Sequence, residues 1–497
     1  MWSFTRTLSF CGGVHPQSRK QATRHLTIES LPLPQRLYLP VQQHIGAPAR
    51  PLVASGDRVL KGQMVAAGDG TVSAAVHAST SGQVVAIEPH PAPHPSGLPV
   101  LTVVIAPDGA DRWMELPKPD HALSLSREEI ARRVAAAGVV GMGGATFPAA
   151  VKLDLGTRRP IDTLILNGSE CEPYLSCDDR LMREHPGEII DGARILRQAL
   201  GAQRTLIVVE DNKPEALAAL RERLYVADAI QALAVPTRYP MGSERHIIRA
   251  VTGREIPAGQ LSADVGVMVH NVATARAVHR AVRHHQPLLS RIVTVGGGAV
   301  ARPANLKVPL GARVQDLLAH CGGTPTAPAR LLMGGPMMGQ VIPHARVPVV
   351  KGSNGIIALT AAETRSADPG PCIRCGRCVA ACPSGLTPLE MAARIRAGDL
   401  DGAAERGLSD CVACGACAYV CPAQVPLVQY FQHAKGALTD RREQARHQER
   451  IRRLAQRRRE RQEAEARAKA EAAAQRKAER AARRKRKTAD EDRKTEA

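Results

Sequence analysis

Aromatic side chains are scarce in this chain: Phe, Trp and Tyr make up 2% of its 497 residues. Scarce aromatics argue against sequence-specific recognition of nucleic acid, because such recognition often stacks bases on aromatic rings. No run of about eighteen apolar residues exists, so no membrane-spanning helix is predicted. The opening stretch, MWSFTRTLSFCGGVHP, lacks the apolar core and cleavage site of a secretory signal. These absences predict an intracellular protein.

Positive charge is concentrated at one end of the chain. The net charge is +20, but residues 441–497 hold 22 Lys and Arg against 11 Asp and Glu, a net +11. The only large apolar residues there are Ile451 and Leu454, and they form no heptads. We therefore expect residues 439–497 to be a charged single helix or a disordered tail. Its attraction to anionic lipid headgroups would assist membrane contact, and binding of other polyanions is the alternative.

A disulfide framework is also missing. Four of the twelve cysteines (Cys11, Cys171, Cys177 and Cys321) are scattered along the chain, which suits a reducing compartment. The other eight form two repeats, PCIRCGRCVAACP and CVACGACAYVCP, each with the spacing C-x2-C-x2-C-x3-C-P. These eight cysteines carry the strongest chemical signal in the sequence.

The repeat spacing predicts two 4Fe–4S clusters. Three thiolates on one tight loop bind three corners of a cluster, and in two-cluster ferredoxins the Cys before Pro ligates the other cluster. Structural zinc is the alternative, but it usually takes CxxC pairs that lie further apart. The two predicted ligand sets are Cys372, Cys375, Cys378 and Cys421, and Cys411, Cys414, Cys417 and Cys382.

The chain is predicted to be a multidomain α/β protein with a helical or disordered tail. Residues 1–117 alternate short apolar runs with Gly-containing turns, which indicates a small all-β unit. The stretches GDRVLKGQ and VHASTSGQVV resemble the barrel-sandwich of biotinyl and lipoyl carriers. Those carriers present a modifiable Lys on a hairpin. The corresponding stretch here, GDGTVSA, has no Lys, so we expect a module without an attached cofactor.

The middle of the chain alternates predicted strands and helices. An amphipathic helix begins at SLSREEIARRVAAAG, where Ser126 and Glu129 have the spacing of a capping box. Strand-like DTLILNG and RTLIVVED alternate with helical stretches, which indicates an α/β domain over residues 118–285. Residues 286–360 resemble the β-grasp fold of soluble-ligand-binding domains. Residues 361–438 then hold the cysteine repeats in a two-cluster, ferredoxin-like domain.

A glycine-rich stretch, GVVGMGGATFPAAVKLD, lies near the start of the α/β domain. By itself it is equally compatible with a plain turn, because its glycines follow a helix and miss the dinucleotide-binding pattern. The strand DTLILNG, however, ends at Asn167, and open α/β sheets bind ligands at the carboxyl ends of their strands. Glu170 and Glu172 follow it, although solvated loop acids are their ordinary interpretation.

Electron chemistry suggests what this region binds. A nicotinamide delivers two electrons as a hydride, whereas each cluster accepts one, and a flavin converts between them. A flavin phosphate would favour backbone N–H groups with a nearby Lys. Gly141, Gly143, Gly144 and Lys152 can supply them.

Several motifs in order resemble a known family. GMGGATFPAAVKL, NGSECEPYLSCDDRLM, YPMGSERHIIRAVTGREIPAG and HNVATARAVHRAV resemble the flavin- and NADH-binding subunit of respiratory complex I. With FCGGVHP near the start and two cluster motifs near the end, the chain is more similar to the RnfC family of the Rnf ion-translocating electron-transport complex. The resemblance covers Ser9 to Gln432.

This resemblance implies a set of cofactor-binding residues. Gly141, Gly143, Gly144 and Lys152 would lie along flavin mononucleotide (FMN), with Asn167 and Glu170 near it. Phe147 would stack on the nicotinamide nucleotide, beside Glu172. Matches to further family loops add Gly242, Glu244, Asn271 and Thr274.

Some features of the pattern depart from the family or allow a simpler role. Ser169 and Ser243 replace acids of the family pattern. The complex I relative has a single cluster in its carboxyl-terminal part, whereas this chain has two cluster motifs. A core position for Phe147 and a helix N-cap for Asn271 are the simpler alternatives.

The expected function is that of a peripheral subunit of a membrane-bound, NADH-linked oxidoreductase and ion translocase. Electrons would pass between NADH and a ferredoxin-type partner through non-covalent FMN and two 4Fe–4S clusters, with ion transport performed by other, membrane-embedded subunits. No side chain needs to act as acid or base, since hydride transfer depends on cofactor placement. The expected location is the cytoplasmic side of the cell inner membrane. The alternative is a diaphorase subunit of a soluble iron–sulfur flavoenzyme, such as a hydrogenase or formate dehydrogenase.

Overall fold

The computed structural model describes residues 8–93, 96–119, 121–364 and 368–495. Outside these lie the first seven residues of the opening stretch, three residues of the predicted cluster domain and the last two of the tail. Contacts divide the chain into two units, Met1–Phe431 and Gln432–Ala497. The first unit contains every described sheet and every candidate site residue.

Two antiparallel sheets form the amino-terminal module. Their apolar side chains, such as Val65, Val84 and Val103, are fully buried, while intervening positions face solvent, as expected for a small sandwich. One sheet has the order β2-β8-β7-β4 and the other β3-β5-β6. The strands of this part of the chain are β1 (Ile28–Ser30), β2 (Leu37–Pro40), β3 (Arg50–Pro51), β4 (Arg58–Val59), β5 (Met64–Ala67), β6 (Val76–His77), β7 (Gly82–Pro91) and β8 (Pro99–Pro107).

A parallel sheet with the order β11-β10-β9-β12 forms the centre of the α/β domain. Its strands are nearly continuous apolar runs because helices cover them. The elements are α1 (Arg127–Ala136), α2 (Ala149–Arg158), β9 (Thr163–Gly168), α3 (Cys177–Glu184), α4 (Pro186–Leu200), β10 (Arg204–Glu210), α5 (Pro214–Glu222), β11 (Ile230–Val235), α6 (Glu244–Thr252), β12 (Val267–Asn271) and α7 (Val272–His284).

The start of α1 agrees only in part with the predicted capping box. The Ser126 hydroxyl accepts a hydrogen bond from the Glu129 N–H at 3.2 Å. The Glu129 carboxylate does not return to Ser126; it accepts hydrogen bonds from Arg132 and Arg133, one turn along the helix. Ion pairing on the helix surface therefore takes the place of the second half of the box.

A six-stranded mixed sheet follows, with the order β1-β14-β13-β17-β15-β16. Strand β1 comes from the amino-terminal part of the chain and pairs in parallel with β14, with Ile28 opposite Asn305. The domain's own elements are β13 (Ser290–Gly296), β14 (Ala304–Pro309), α8 (Val314–His320), β15 (Arg330–Met333), β16 (Gln340–Val341) and β17 (Gly355–Leu359).

Short helices carry the cysteine repeats, and a long helix follows them. They are α9 (Arg377–Ala380), α10 (Pro388–Arg396), α11 (Leu400–Glu405), α12 (Ala416–Tyr419) and α13 (Leu427–Thr495). Of the two predicted states of the tail, the structure has the helix. Within the described residues, no helix is both long enough and apolar enough to cross a membrane.

Candidate functional site

The strand order of the parallel sheet changes direction at β9, because β10 and β11 lie on one side of β9 and β12 lies on the other. Such a reversal opens a crevice at the carboxyl ends of the strands. Asn167 of β9 and Asn271 of β12 lie opposite each other at that end. The Asn167 amide donates to the Gly242 carbonyl at 2.7 Å, which brings a third candidate residue to the crevice.

Asn271 also begins helix α7. Its side-chain oxygen accepts from the Ala273 N–H at 2.8 Å, so the N-cap role is present, and its amide donates to Asp178 at 2.7 Å. The N-terminus of α7 therefore lies at the crevice, where exposed N–H groups favour an anion. The cap and the candidate binding position are the same residue.

The glycine stretch folds into a tight loop beside α7. Gly141 donates its N–H to the Phe147 carbonyl at 2.8 Å, and Met142 donates its N–H to the Thr274 hydroxyl at 2.9 Å. Gly143 and Gly144 form the exposed tip, and the φ of Gly144 is +113°. A residue with a Cβ is strained at that φ, so the tip requires glycine. The loop presents bare backbone, as contact with a flat cofactor requires.

Lys152 and Glu244 lie at the same end of the sheet. The Lys152 ammonium donates to the Val269 carbonyl of β12 at 3.0 Å and is 3.5 Å from the Glu244 carboxylate. Both side chains are partly exposed. A positive charge is thus held close to the crevice, within the reach expected of a phosphate-binding lysine.

Glu170 has a structural role besides the flavin contact predicted for it, and that contact stays a prediction. Its carboxylate accepts hydrogen bonds from the N–H groups of Asp178 (2.7 Å) and Asp179 (3.2 Å) and so caps helix α3. Its backbone carbonyl accepts from the buried ammonium of Lys20 at 2.7 Å. Burial and the Glu170 charge raise the pKa of Asp178 to about 6. Glu170 therefore shapes the loop after β9, with help from Lys20, a residue that no motif marks.

Glu172 joins the α/β domain to the six-stranded sheet. Its two carboxylate oxygens accept from the N–H groups of Met337 (3.0 Å) and Met338 (2.8 Å). Burial raises the pKa of Glu172 to about 7. Phe147 is half-buried, so it does not occupy the core position that was its simpler alternative.

The cysteines divide between two surroundings. Four of them line one small cavity: Cys382, Cys411, Cys414 and Cys417. This cavity brings the last Cys of the first repeat to the first three of the second, the grouping that the ferredoxin-type exchange requires. Cys372 and Cys375 are exposed, while Cys378 and Cys421 are half-buried.

The chemistry of the four cysteines that line the cavity fits a metal cluster, with Cys414 and Cys417 buried and Cys382 and Cys411 half-buried. Burial raises the pKa of Cys414 to about 11 and also raises the pKa of Cys417, so without a cation these thiols stay protonated. As neutral groups, four thiols that converge on one cavity have no chemical role there. Binding to iron would deprotonate them and offset the energetic cost of burying the thiolates. Cys382, Cys411, Cys414 and Cys417 are therefore suited to hold one 4Fe–4S cluster.

A short bridge connects the two candidate sites. The Tyr239 hydroxyl donates to the Cys414 carbonyl at 2.6 Å, and Tyr239 is two residues before Met241 in the loop that contains Gly242. The backbone of Tyr239 exchanges two hydrogen bonds with Val14. The bridge thus ties the crevice of the parallel sheet to the cavity of four cysteines.

The amino-terminal FCGGVHP stretch completes this bridge. Gly13 donates its N–H to the Ala381 carbonyl at 2.9 Å. Gly12 has a φ of +68°, and a Cβ there would lie too close to the Cys382 carbonyl oxygen. Gly12 is required by close approach to the cluster loop, and Gly13 by close approach to the Tyr239 carbonyl. In the sequence this motif is only a family marker, although two adjacent glycines in a Pro-containing segment are a signal for such an approach.

Comparison with known families matches four parts of the chain. The matched families are the RnfC barrel sandwich hybrid domain (residues 8–110), the Nuo51 FMN-binding domain (134–280), the SLBB domain (292–341) and the 4Fe-4S dicluster domain (365–435). Among relatives, the subunit designated C in the ion-translocating oxidoreductase complex of Rhodobacter capsulatus is 56% identical over 88% of this chain and 84% of its own length. The chain belongs to the RnfC family.

A second relative extends the match to another organism. The subunit designated C in the proton-translocating ferredoxin:NAD(+) oxidoreductase complex of Clostridium ljungdahlii is 43% identical over 86% of this chain and 93% of its own length. A solved NAD+-reducing [NiFe]-hydrogenase chain shares 20% identity over 56% of this chain and 54% of its own, with a TM-score of 0.45.

The family assignment confirms the predicted resemblance and fold class. Barrel-sandwich, FMN-binding α/β, SLBB and dicluster regions are all present in the predicted order. FMN and 4Fe–4S clusters are the cofactors of the matched domains, as expected from the cysteine spacing and the glycine stretch. The individual ligand residues and domain boundaries remain predictions supported by the geometry described above.

Proposed function

We propose that this RnfC-family protein transfers electrons between NADH and a ferredoxin-type partner within a multi-subunit, ion-translocating oxidoreductase complex. The observation that supports this function most strongly is the bridge through Tyr239, which links the crevice of the FMN-binding domain to a cavity of four cysteines. Electron transfer needs the two sites to lie close together, which a storage or structural cluster does not require. The soluble diaphorase alternative is not favoured, because the relatives that match most of the chain are subunits of ion-translocating complexes.

The residues of the chain would position the cofactors. When bound, FMN exchanges a hydride with NADH and single electrons with the clusters. The Gly141–Gly144 backbone and the N-terminus of α7 would hold the flavin and its phosphate, with Lys152 as counter-charge. Phe147 would hold the nicotinamide against the loop, and Cys382, Cys411, Cys414 and Cys417 one cluster. Cys372, Cys375, Cys378 and Cys421 would hold the other.

The charge of the tail and the exposure of two cysteines support the proposed location and partner. The basic tail, with a net +11 beyond residue 440, is suited to an anionic surface such as the cytoplasmic face of the inner membrane. Membrane-embedded subunits would transport the ion, and the exposed Cys372 and Cys375 lie where a ferredoxin-type partner can approach the second cluster.

Cofactor analysis with NADH as reductant tests the proposal. The isolated chain should contain iron, acid-labile sulfide and FMN, and NADH should bleach the visible absorbance of its clusters. In cells, it should co-purify with integral membrane proteins of the complex. Clusters that dithionite bleaches but NADH does not, in protein that retains FMN, would exclude the NADH-linked role.

The pKa of Glu172 leads to a pH prediction. Because that pKa is about 7, Glu172 becomes an anion as the pH rises through neutrality. If Glu172 lies beside the nucleotide, the anion repels the phosphates of NADH, and the KM for NADH should rise roughly two- to fivefold, the effect of a partly screened charge. Steady-state kinetics with ferricyanide from about pH 6 to 8 measure this change.

Glu172→Gln should make the KM nearly independent of pH over this range, whereas Glu405→Gln, at an exposed helical site, should behave as wild type. A pH dependence that persists in Glu172→Gln, or a KM that falls with rising pH, would contradict this role.

Removal of the tail should leave the electron-transfer core intact. Truncation after Asp440 removes most of the second unit, Gln432–Ala497, and lowers the net charge from +20 to +9. Iron content, FMN content and NADH oxidation by ferricyanide should be unchanged. Sedimentation with anionic vesicles should fall sharply, with little change for neutral vesicles. Loss of FMN or iron on truncation would show that the tail supports the core.

A further inference from the structure

A cleft that borders the candidate flavin site lies between three parts of the first unit. Its volume is about 380 Å³, and it is lined by the barrel-sandwich, helix α7 and the β13–β14 hairpin. This size suits a small molecule. Met142 of the glycine loop and Ala273 of the first turn of α7 form its border with the flavin site, but none of the twelve candidate FMN and NADH residues lines it. The proposed function therefore assigns no ligand to the cleft.

The lining of the cleft has an excess of positive charge. It contains five cations, Lys61, Arg276, Arg280, Arg291 and Lys307, and only two carboxylates, Asp111 and Asp178. A third carboxylate, Glu188, is shared by Arg276 at 3.0 Å and Arg280 at 3.7 Å. Even with Glu188 counted, the cations exceed the carboxylates by two.

The surroundings of Lys307 show that the excess of positive charge is concentrated in one part of the cleft. Its ammonium makes no hydrogen bond or ion pair with any residue that the structure describes. Lys307 is exposed on β14, but partial desolvation of its ammonium and the positive charges of Arg280, Arg276 and Lys61 lower its pKa, and Glu188 offsets only part of this effect. Three cations close enough to affect a fourth are unfavourable unless an anion joins them. An Arg pair with a Lys is also the combination that binds a phosphate group well.

An aromatic wall accompanies the charges. Trp113 lines the cleft with 37% of its surface exposed, and the Lys61 ammonium lies 5.2 Å from its ring centroid. Leu288 and Pro309 add apolar surface. A ligand with both an anionic group and an apolar body would use all of these features.

We propose that this cleft binds a small organic phosphate, with its dianionic group at Arg276, Arg280 and Lys307 and its apolar body against Trp113. The dianion would neutralise the surplus of two charges. The proposal concerns a binding site apart from NADH oxidation and does not depend on it.

Phenyl phosphate is a suitable probe, because it combines a dianion with one ring. Trp113 and Trp2 are the only tryptophans in the sequence, so the cofactor-loaded full chain carrying Trp2→Phe reports on Trp113 alone. Titration at constant ionic strength should change Trp113 emission saturably, and calorimetry should give one site per chain. Inorganic phosphate should bind more weakly, and phenol should produce no saturable signal.

A matched pair of variants separates a specific site from general attraction. Lys307→Gln should raise the Kd for phenyl phosphate about tenfold, the usual effect of losing one charged hydrogen bond. Arg330→Gln removes the same charge from an exposed position on the same sheet and should leave the Kd within about twofold.

Several results would overturn the proposal. They are the absence of saturable binding at millimolar phenyl phosphate, equal effects of the two substitutions, and equal affinity for inorganic phosphate. Release of FMN by the probe would also do so, because it would place phenyl phosphate in the flavin site. The Lys307 ammonium has no partner among the described residues to lose, so its variant should fold normally.

Discussion

A Gly143→Val variant is expected to lose FMN and NADH-dependent reduction while keeping both iron–sulfur clusters. Gly143 lies at the exposed tip of the loop beside Asn271, and its backbone is proposed to contact the flavin. A branched side chain there would occupy the space of the cofactor. Both sets of cysteines lie more than two hundred residues further along the chain and should be unaffected.

The structure makes this experiment selective for the cofactor. A Cβ at Gly143 would meet no protein atom closer than the Asn271 Cβ at 3.5 Å, an ordinary contact. Flavin loss would therefore report on the space that the flavin needs instead of on a clash within the protein. Gly187→Val, at an exposed glycine where a Cβ would have no neighbour within 4 Å, is the matched control and should retain FMN.

Flavin fluorescence after denaturation, iron and sulfide analysis, and cluster bleaching measure the three parts of the result. The Gly143 variant should be bleached by dithionite and not by NADH. Retention of FMN together with normal NADH bleaching would mean that the glycine loop is only a turn.

A Cys382→Ala variant should lose the cluster of the second repeat, although Cys382 belongs to the first. Cys382 lines the same cavity as Cys411, Cys414 and Cys417, and none of Cys372, Cys375 and Cys378 lines it. Loss of one ligand in four should destabilise that cluster, so iron content should fall by up to about half. The reduced protein should show the spectrum of a single remaining cluster.

Cys421→Ala is the reciprocal control and should affect the cluster of Cys372, Cys375 and Cys378. Electron paramagnetic resonance of each variant identifies which cluster is lost. A Cys382 variant that loses only the first repeat's cluster would show that each repeat binds its own cluster without exchange.

Features set by neighbouring residues could be predicted from the sequence. The strand Thr163–Gly168 follows from an unbroken apolar run. The repeat spacing also anticipates that Cys382 lines one cavity with Cys411, Cys414 and Cys417, although their role as cluster ligands stays a prediction. Composition left the tail open between helix and disorder, since its charged residues are good helix formers but have no core to pack on. The structure has the helix.

Features set by distant residues could not be predicted. Strand β1 pairs with β14 although Ile28 and Asn305 are far apart in the sequence, and no local pattern encodes that partner. The contact of the Glu170 carboxylate with the start of α3 depends on how the loop after β9 folds, and no local pattern indicates it. Tyr239 stands within a family motif, yet its contact with Cys414 depends on how two domains meet.

The contact of Gly12 and Gly13 with the loop of Ala381 and Cys382 has a consequence for biosynthesis. During synthesis, Gly12 and Gly13 must wait for a partner that is made roughly 370 residues later. At about 5–20 residues per second, this delay is on the order of twenty to seventy seconds. The two glycines therefore lack this contact through most of synthesis, and they can pack on the Cys382 loop only after that loop has been made.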